Sequence, residues 1–171
     1  MVETTRLLIR PLNEEQLHLY LRANDLFEQA QGLTCTGRTV SPAVQAMVER
    51  FTIPQMAGAT ADNYLYYTFW VVVEKASKLV VAELGFKGEP TGAGEIEIGY
   101  GTMPVHQGKG FMTEAVAGMV NWCSLRPQVK TLLAETDAAN AASIKVLVKN
   151  NFEQYARKGK MLWWKRGVGE P

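Results

Sequence analysis

The sequence predicts a single mixed α/β domain, and three observations carry that prediction. The chain has 171 residues, enough for one hydrophobic core and too few for two of ordinary size. Short runs of β-branched and aromatic residues alternate with longer runs whose apolar positions recur at helical spacing. No repeat with a period of about 20–50 residues and no low-complexity tract interrupts this succession, which excludes a solenoid or a string of modules. Composition agrees: 47% of residues are apolar and 20% charged, the balance of a chain that folds unaided.

Thr5-Arg6-Leu7-Leu8-Ile9-Arg10 is apolar at its centre and closed by Pro11, which predicts a first strand. Asn13 and Gln16 stand in capping-box spacing before Leu17, Tyr20 and Leu21, so a helix is expected from Glu14. Ser41-Pro42 supplies an N-cap and a proline at the first helical position, ahead of an apolar stripe of Val44, Met47, Val48 and Phe51. Gln29 to Val40 and Ile53 to Asn63, rich in Gly, Thr, Ala and Pro, are expected to be irregular. Tyr67 to Glu74 and Leu79 to Phe86, parted by the polar Lys75 to Lys78, read as a hairpin. Beyond the turn cluster Gly88 to Gly94, Glu95 to Tyr100 alternates charged and branched residues, placing Glu95 and Glu97 on one face of a strand. A glycine-rich turn, Gln107 to Gly110, leads into a helix from Thr113 to Leu125 with Val116, Met119, Val120 and Cys123 on its apolar stripe. Val129 to Glu135 predicts a strand, Asn140 to Lys149 a helix carrying Ile144, Leu147 and Val148, and Met161 to Lys165 a last aromatic strand.

Charge and composition exclude several classes of function. Eighteen basic against 17 acidic residues leave a net charge of +1, so there is no basic field for nucleic acid or for an anionic membrane. The most apolar stretch, Tyr64 to Val73, is ten residues long, where a bilayer span needs about 20. Glu3, Arg6 and Arg10 interrupt any signal-peptide core, so a cytoplasmic protein is expected. Cys35 and Cys123 read as free thiols, and His18 and His106 stand far apart, so metal-free chemistry is expected.

The turn Gln107-Gly108-Lys109-Gly110-Phe111-Met112 between a strand and a helix suits a diphosphate. Glycines let the backbone approach, and the first helical N–H groups are unpaired donors. A strand-to-helix connection that needs glycine only for positive φ has the same composition, so the turn alone leaves both readings open. It lacks the Gly-Lys-Ser/Thr spacing of a nucleotide P-loop around Lys109, and Thr113 stands where a dinucleotide fingerprint would have its third glycine.

Taken together, Thr5 to Leu12, Glu97-Ile98-Gly99-Tyr100, Gln107 to Ala115, and Asn140-Ala141-Ala142-Ser143 leading to Phe152 resemble the GNAT superfamily of acyl-CoA-dependent N-acetyltransferases, and within it the ribosomal-protein (Rim-type) branch. The resemblance covers most of the chain and implies one acetyltransferase domain over residues 1–171. Its fold would be α/β of the α+β kind: a mixed, mostly antiparallel sheet flanked by helices and splayed between the fourth and fifth strands. It implies acetyl-CoA as cosubstrate, with the pyrophosphate on the turn formed by Gln107, Gly108, Lys109, Gly110, Phe111, Met112 and Thr113. Met112 departs from the small residue usual at its position. The pantetheine arm would pair with main-chain groups of Met103 and Val105, as an added strand does, and with Asn140, a residue type that is also among the best helix caps.

Acetylation needs a neutral amine, whereas amines of lysine and N-terminal type carry unperturbed pKa values of about 10.4 and 8, so a base is required. The resemblance assigns that role first to Glu97, with Glu95 on the same face and Glu83 and Glu135 as further carboxylates; an amphipathic strand would also carry such residues simply as a solvated face. Seven residues after Asn140 many relatives place a tyrosine acid, but this chain has Leu147, and the Rim-type pattern offers Ser143 as donor to the leaving thiolate. Asn151 replaces a glycine at the helix stop, where asparagine tolerates a left-handed backbone. Trp163, Trp164 and the Tyr64 to Trp70 aromatics read as core, His106 as a phosphate contact or an exposed residue, and Cys123 as a buried structural thiol. The function implied is direct transfer of acetyl to a primary amine, foremost a protein N-terminal amine. Alternatives are a small-molecule amine or antibiotic acceptor, or a non-catalytic acyl-CoA-binding module. Gln29 to Asn63 is where acceptor choice is expected to lie, and the chain is expected to act as a monomer or homodimer.

Overall fold

The computed structural model describes residues 1–22 and 24–168. In chain order it contains β1 (Val2–Glu3), β2 (Leu7–Pro11), α1 (Glu14–Leu21), α2 (Leu26–Gln31), α3 (Pro42–Met47), a π-helical turn (Val48–Thr52), α4 (Ile53–Ala57) and α5 (Tyr64–Tyr67). There follow β3 (Phe69–Glu74), β4 (Leu79–Phe86), β5 (Glu95–Thr102), a 3₁₀ turn (Pro104–His106), α6 (Phe111–Ser124), β6 (Thr131–Asp137), α7 (Ala141–Lys149), β7 (Glu153–Lys158) and β8 (Met161–Gly167). One sheet has the order β1-β2-β3-β4-β5-β6-β8-β7. Its pairings are antiparallel except β5 with β6, which are parallel.

Two apolar layers sandwich the sheet. On one face, Leu7, Ile9, Trp70, Val72, Leu84, Ile96 and Ile98 pack against Val116, Met119 and Cys123 of α6 and Leu147 of α7. On the other, Phe69, Val71 and Val73 meet Leu17 and Tyr20 of α1, Phe27 of α2 and Val48. The strict alternation of these residues along β3 is the two-residue period that marked it as a strand. Burial pushes the Cys123 thiol up to about 12, as befits a packing group. Among the described residues no helix is long and apolar enough to cross a membrane.

Local chemistry explains most boundaries. Asn13 Oδ1 accepts from Gln16 N–H at 2.8 Å and Gln16 Oε1 from Asn13 N–H at 3.0 Å, the reciprocal capping box that starts α1. Asn151, at φ 57°, ends α7 in a Schellman arrangement, with Phe152 N–H on the Leu147 carbonyl and Asn151 N–H on that of Val148, both at 3.0 Å.

Several expectations need correction. Gln29 to Val40 and Ile53 to Asn63 contain the end of α2 and all of α4; proline at the first turn of α4 is compatible with helix. Tyr64–Tyr67 forms a helical turn, although its residues favour strands. The predicted stripe after Pro42 is broken, because the π-helical turn adds a residue and rotates Phe51 out to 61% exposure while Val48 stays buried. α6 begins at Phe111, two residues earlier than its apolar stripe suggested.

Candidate active site

Parallel pairing between β5 and β6 is confined to Glu95–Thr131, Ile96–Leu132 and Glu97–Leu133. Beyond these the strands diverge: β5 continues against β4 as far as Thr102 and β6 against β8 as far as Asp137. The divergence opens a cleft of about 640 Å³ through the sheet, reaching the start of α6 on one side and α7 on the other. Here the expected splay is present.

At one end lies the glycine-rich turn. Gly108 and Gly110 hold φ 76° and 79°, left-handed values that side chains resist. Gly110 is the N-cap of α6 and no side chain caps that end, so the N–H groups of the first turn face the cleft unpaired, where the helix dipole favours an anion. The turn is anchored from behind. Arg6 Nη1 donates to the Lys109 carbonyl at 3.1 Å, and Arg6 Nε and main-chain N–H each reach Glu114 at 2.7 Å, as does Thr4 Oγ1. Burial pushes the Glu114 carboxyl up, but these bonds and the Arg6 charge outweigh it and hold it below the usual range. Gln107, Gly108, Gly110, Phe111, Met112 and Thr113 all line the cleft. Met112 is buried with its neighbours in the α6 layer, so its bulk is absorbed by the core. His106 lines the same end, its imidazole held below the usual range by burial and by the charge of Lys109.

Met103 and Val105, expected to offer main-chain groups to the pantetheine arm, lie just past the end of β5. Met103 N–H donates to the Val81 carbonyl and its carbonyl accepts from His106 N–H, so neither is free. Val105 lies on the exposed 3₁₀ turn. In an antiparallel pair, alternate residues bond to one neighbour. Since Glu97 and Met103 bond toward β4, the same phase turns the main-chain groups of Ile98, Tyr100 and Thr102 toward the cleft. An added strand would find its partners there.

α7 supplies the far wall. Asn140 Oδ1 accepts from Ser143 N–H at 3.0 Å, making Asn140 the cap of α7, and Asn140 also lines the cleft. Ser143 Oγ lies 3.0 Å from Tyr100 Oη, a contact across the cleft between residues 43 positions apart. Burial pushes the Tyr100 phenol up, with the Ser143 bond opposing it, so Tyr100 keeps its proton through neutral pH. The sequence named Tyr100 only as the last residue of Glu-Ile-Gly-Tyr, next to Gly99, and gave it no role. Leu147, where a tyrosine acid was sought, is fully buried in the α6 layer.

The carboxylates lie on the opposite face of β5. Glu97 is ion-paired to Lys87, whose ammonium also reaches Glu135 at 3.5 Å. Burial alone would lower Lys87, but the hydrogen bond and charge of Glu97, joined by Glu135, hold it above its ordinary range. Glu97 therefore stands on the expected face of β5 with a lysine partner beside it. Glu83, deeper on the same face, accepts from Tyr20 Oη at 2.8 Å; burial pushes its carboxyl up, while the Tyr20 bond and Arg38 pull it down.

The acetyltransferase (GNAT) domain family matches residues 6–153. This chain belongs to that family. The GNAT domain is 36% identical over 83 residues to the uncharacterised N-acetyltransferase YjdG of Bacillus subtilis; the match spans 48% of this chain and 49% of that protein, about half the length of this curated relative. Its fold is similar to that of the ribosomal-protein-S5-alanine acetyltransferase of Vibrio fischeri (TM-score 0.67, 18% identity, 97% of this chain and 95% of that one). It is also similar to that of the spermidine N-acetyltransferase of Vibrio cholerae, solved with CoA and spermine (TM-score 0.64, 12% identity, 96% and 97%). At such identities the likeness is one of fold.

Proposed function

We propose that this GNAT domain transfers acetyl from acetyl-CoA directly to a primary amine. The observation that carries this reading is a cleft that passes through the sheet, with a glycine-rich turn and an uncapped helix start at one end and carboxylates on the opposite face. The pyrophosphate would rest on the N–H groups of Gly108 to Thr113, and the pantetheine arm would pair with Ile98, Tyr100 and Thr102 and meet the Asn140 carboxamide. This orientation places the thioester within the splay, where fixed geometry replaces a chance encounter. The leaving sulfur would take a proton from the Tyr100–Ser143 hydroxyl pair, in which Ser143 keeps the donor role the sequence suggested and Tyr100 is the more acidic partner.

The leading acceptor is a protein N-terminal amine, supported by the fold likeness to the Vibrio fischeri enzyme and by the Rim-type motifs. A polyamine is the second reading, favoured by Glu97, Glu135 and Glu83 on the acceptor face, an acidic entrance for a polycation. Calorimetric titration with acetyl-CoA, followed by thiol release with an alanine-initiated peptide, spermidine and kanamycin, tests all of this. Binding with release for one amine class supports the enzyme and names its acceptor. Binding without release points to a non-catalytic acyl-CoA module, and absence of binding overturns the assignment of the cleft.

A further inference from the structure

The face of the sheet away from α6 has a bare strip. Gly99 and Gly101 project no side chain there, and a methyl group at either would touch nothing within 4 Å. Both line the cleft, as does Glu135 across the gap. Directly beside Gly101 in the β4–β5 register stands Glu83, itself opposite Val71 of β3. Glu83 sits where the apolar layer under α1 gives way to this open floor. Glu83 is half-buried beside the cleft, and its carboxylate accepts a hydrogen bond from Tyr20 Oη at 2.8 Å.

We propose that Glu83 takes the proton from the acceptor ammonium, which enters over Gly99 and Gly101 from the face opposite the coenzyme turn. This rests on the acetyl-transfer reading above. The groups facing Glu83 suit the task. Tyr20 on α1 donates to it, and Arg38, after α2, whose charge draws the Glu83 carboxyl down, is ion-paired to Glu28 at 2.6 Å with its guanidinium stacked on the Tyr20 ring. Opposite Glu83 in register stand Val71 of β3 and Gly101 of β5. Among the described residues no lysine pairs with Glu83 as Lys87 pairs with Glu97. Burial raises the Glu83 carboxyl above its ordinary range, against the opposing Tyr20 hydrogen bond and Arg38 charge. In the step, one N–H bond of the ammonium breaks and its proton passes to the Glu83 carboxylate. The freed lone pair forms the C–N bond to the thioester carbonyl carbon, the C–S bond breaks, and its electron pair leaves on sulfur. The sulfur is protonated from the Tyr100–Ser143 pair, which is restored by the surplus proton of the new amide nitrogen, and Glu83 returns its proton to water.

The test measures kcat/KM against pH with whichever of the alanine-initiated peptide, spermidine or kanamycin releases thiol fastest. Glu83→Gln retains an oxygen for Tyr20 and so preserves the packing. It should lower kcat/KM by about 10²–10³, abolish the acidic limb of the profile, and leave acetyl-CoA affinity unchanged. Tyr20→Phe removes a donor that favours the charged carboxylate, so it should move the acidic limb to higher pH. A Glu83→Gln protein within about twofold of wild type, or an acidic limb that survives it or ignores Tyr20→Phe, overturns the role of Glu83 alone. Wild-type protein that binds acetyl-CoA but releases no thiol to any of the three amines removes the acetyl-transfer reading, and the role of Glu83 with it.

Discussion

Gly118→Ala should lower the melting temperature, although it replaces a poor helix former by the best one. In the interior of α6 the exchange gains about 1 kcal/mol from helix propensity. The new Cβ, however, would lie 2.8 Å from Thr4 Cγ2, 3.3 Å from Ile9 Cδ1 and 3.4 Å from Val2 Cγ1. Thr4 cannot turn aside cheaply, because its Oγ1 donates to Glu114 at 2.7 Å and accepts from Leu7 N–H at 3.2 Å. Overpacking of this kind costs about 1–3 kcal/mol. The net effect is a loss of about 1 kcal/mol, or roughly 2–4 °C for a domain of this size. Thr4→Ser in the same background removes the clashing methyl and keeps the hydroxyl, so the double variant should melt above the single Gly118→Ala variant and above Thr4→Ser alone. Thermal unfolding followed by circular dichroism gives all four values. A Gly118→Ala chain that melts above wild type, or one that Thr4→Ser fails to rescue, refutes the packing argument.

Gly110→Ala places a side chain at φ 79° and should weaken acetyl-CoA binding about tenfold through strain of about 1–2 kcal/mol; calorimetry in a folded variant showing unchanged affinity would remove the turn from the site. Tyr100→Phe and Ser143→Ala should each lower kcat about tenfold or more with little change in acetyl-CoA affinity, and the double variant should fall by less than the product of the two. Full additivity would mean that the hydroxyls do not act as a pair. Because the Glu114 carboxyl is held below its ordinary range, its bonds to Thr4 and Arg6 stabilise fully above about pH 4.3 and are lost as pH falls through the folded value. Glu114→Gln should therefore melt below wild type at pH 7 and converge with it in acid, whereas a gap that ignores pH would show that the charge is not involved.

The strands and helices that bury a regular face were legible in the sequence: β2 to β6, β8, α1, α6 and α7. What escaped was structure without such a face. β7 is exposed along its whole length, so its residues carry no apolar alternation, and its partner β8 holds it through main-chain bonds. The short helices around Pro54 and Tyr64 depend on tertiary packing that overrides their local preferences. At the site, the glycine turn at the start of α6 could be read because glycine spacing and a helix start are local features. The Tyr100–Ser143 contact could not, since it joins residues 43 apart. That the main-chain groups of Ile98, Tyr100 and Thr102 face the cleft was hidden for a similar reason. Alternation along a strand is visible in sequence, but which set of amides bonds to which neighbour is set by the partner strand. Glu97 was found as a carboxylate on the correct face; its capture by Lys87 depends on how β4 lies beside β5.

The short parallel seam between β5 and β6 makes the sheet two plates, one of five strands and one of three, riveted along only three residue pairs. Side chains add further fastenings: Lys87 joins Glu97 to Glu135, Tyr100 meets Ser143, and Asn150 Nδ2 at the end of α7 donates to the Thr113 carbonyl in the first turn of α6 at 3.1 Å. The plates thus form a wedge held at its apex and braced across its mouth. Such a wedge can flex about the seam without breaking either plate, so amide exchange should be slow within each plate and faster at the main-chain groups that border the gap. A ligand that fills the gap acts as the missing spar and stiffens both halves at once.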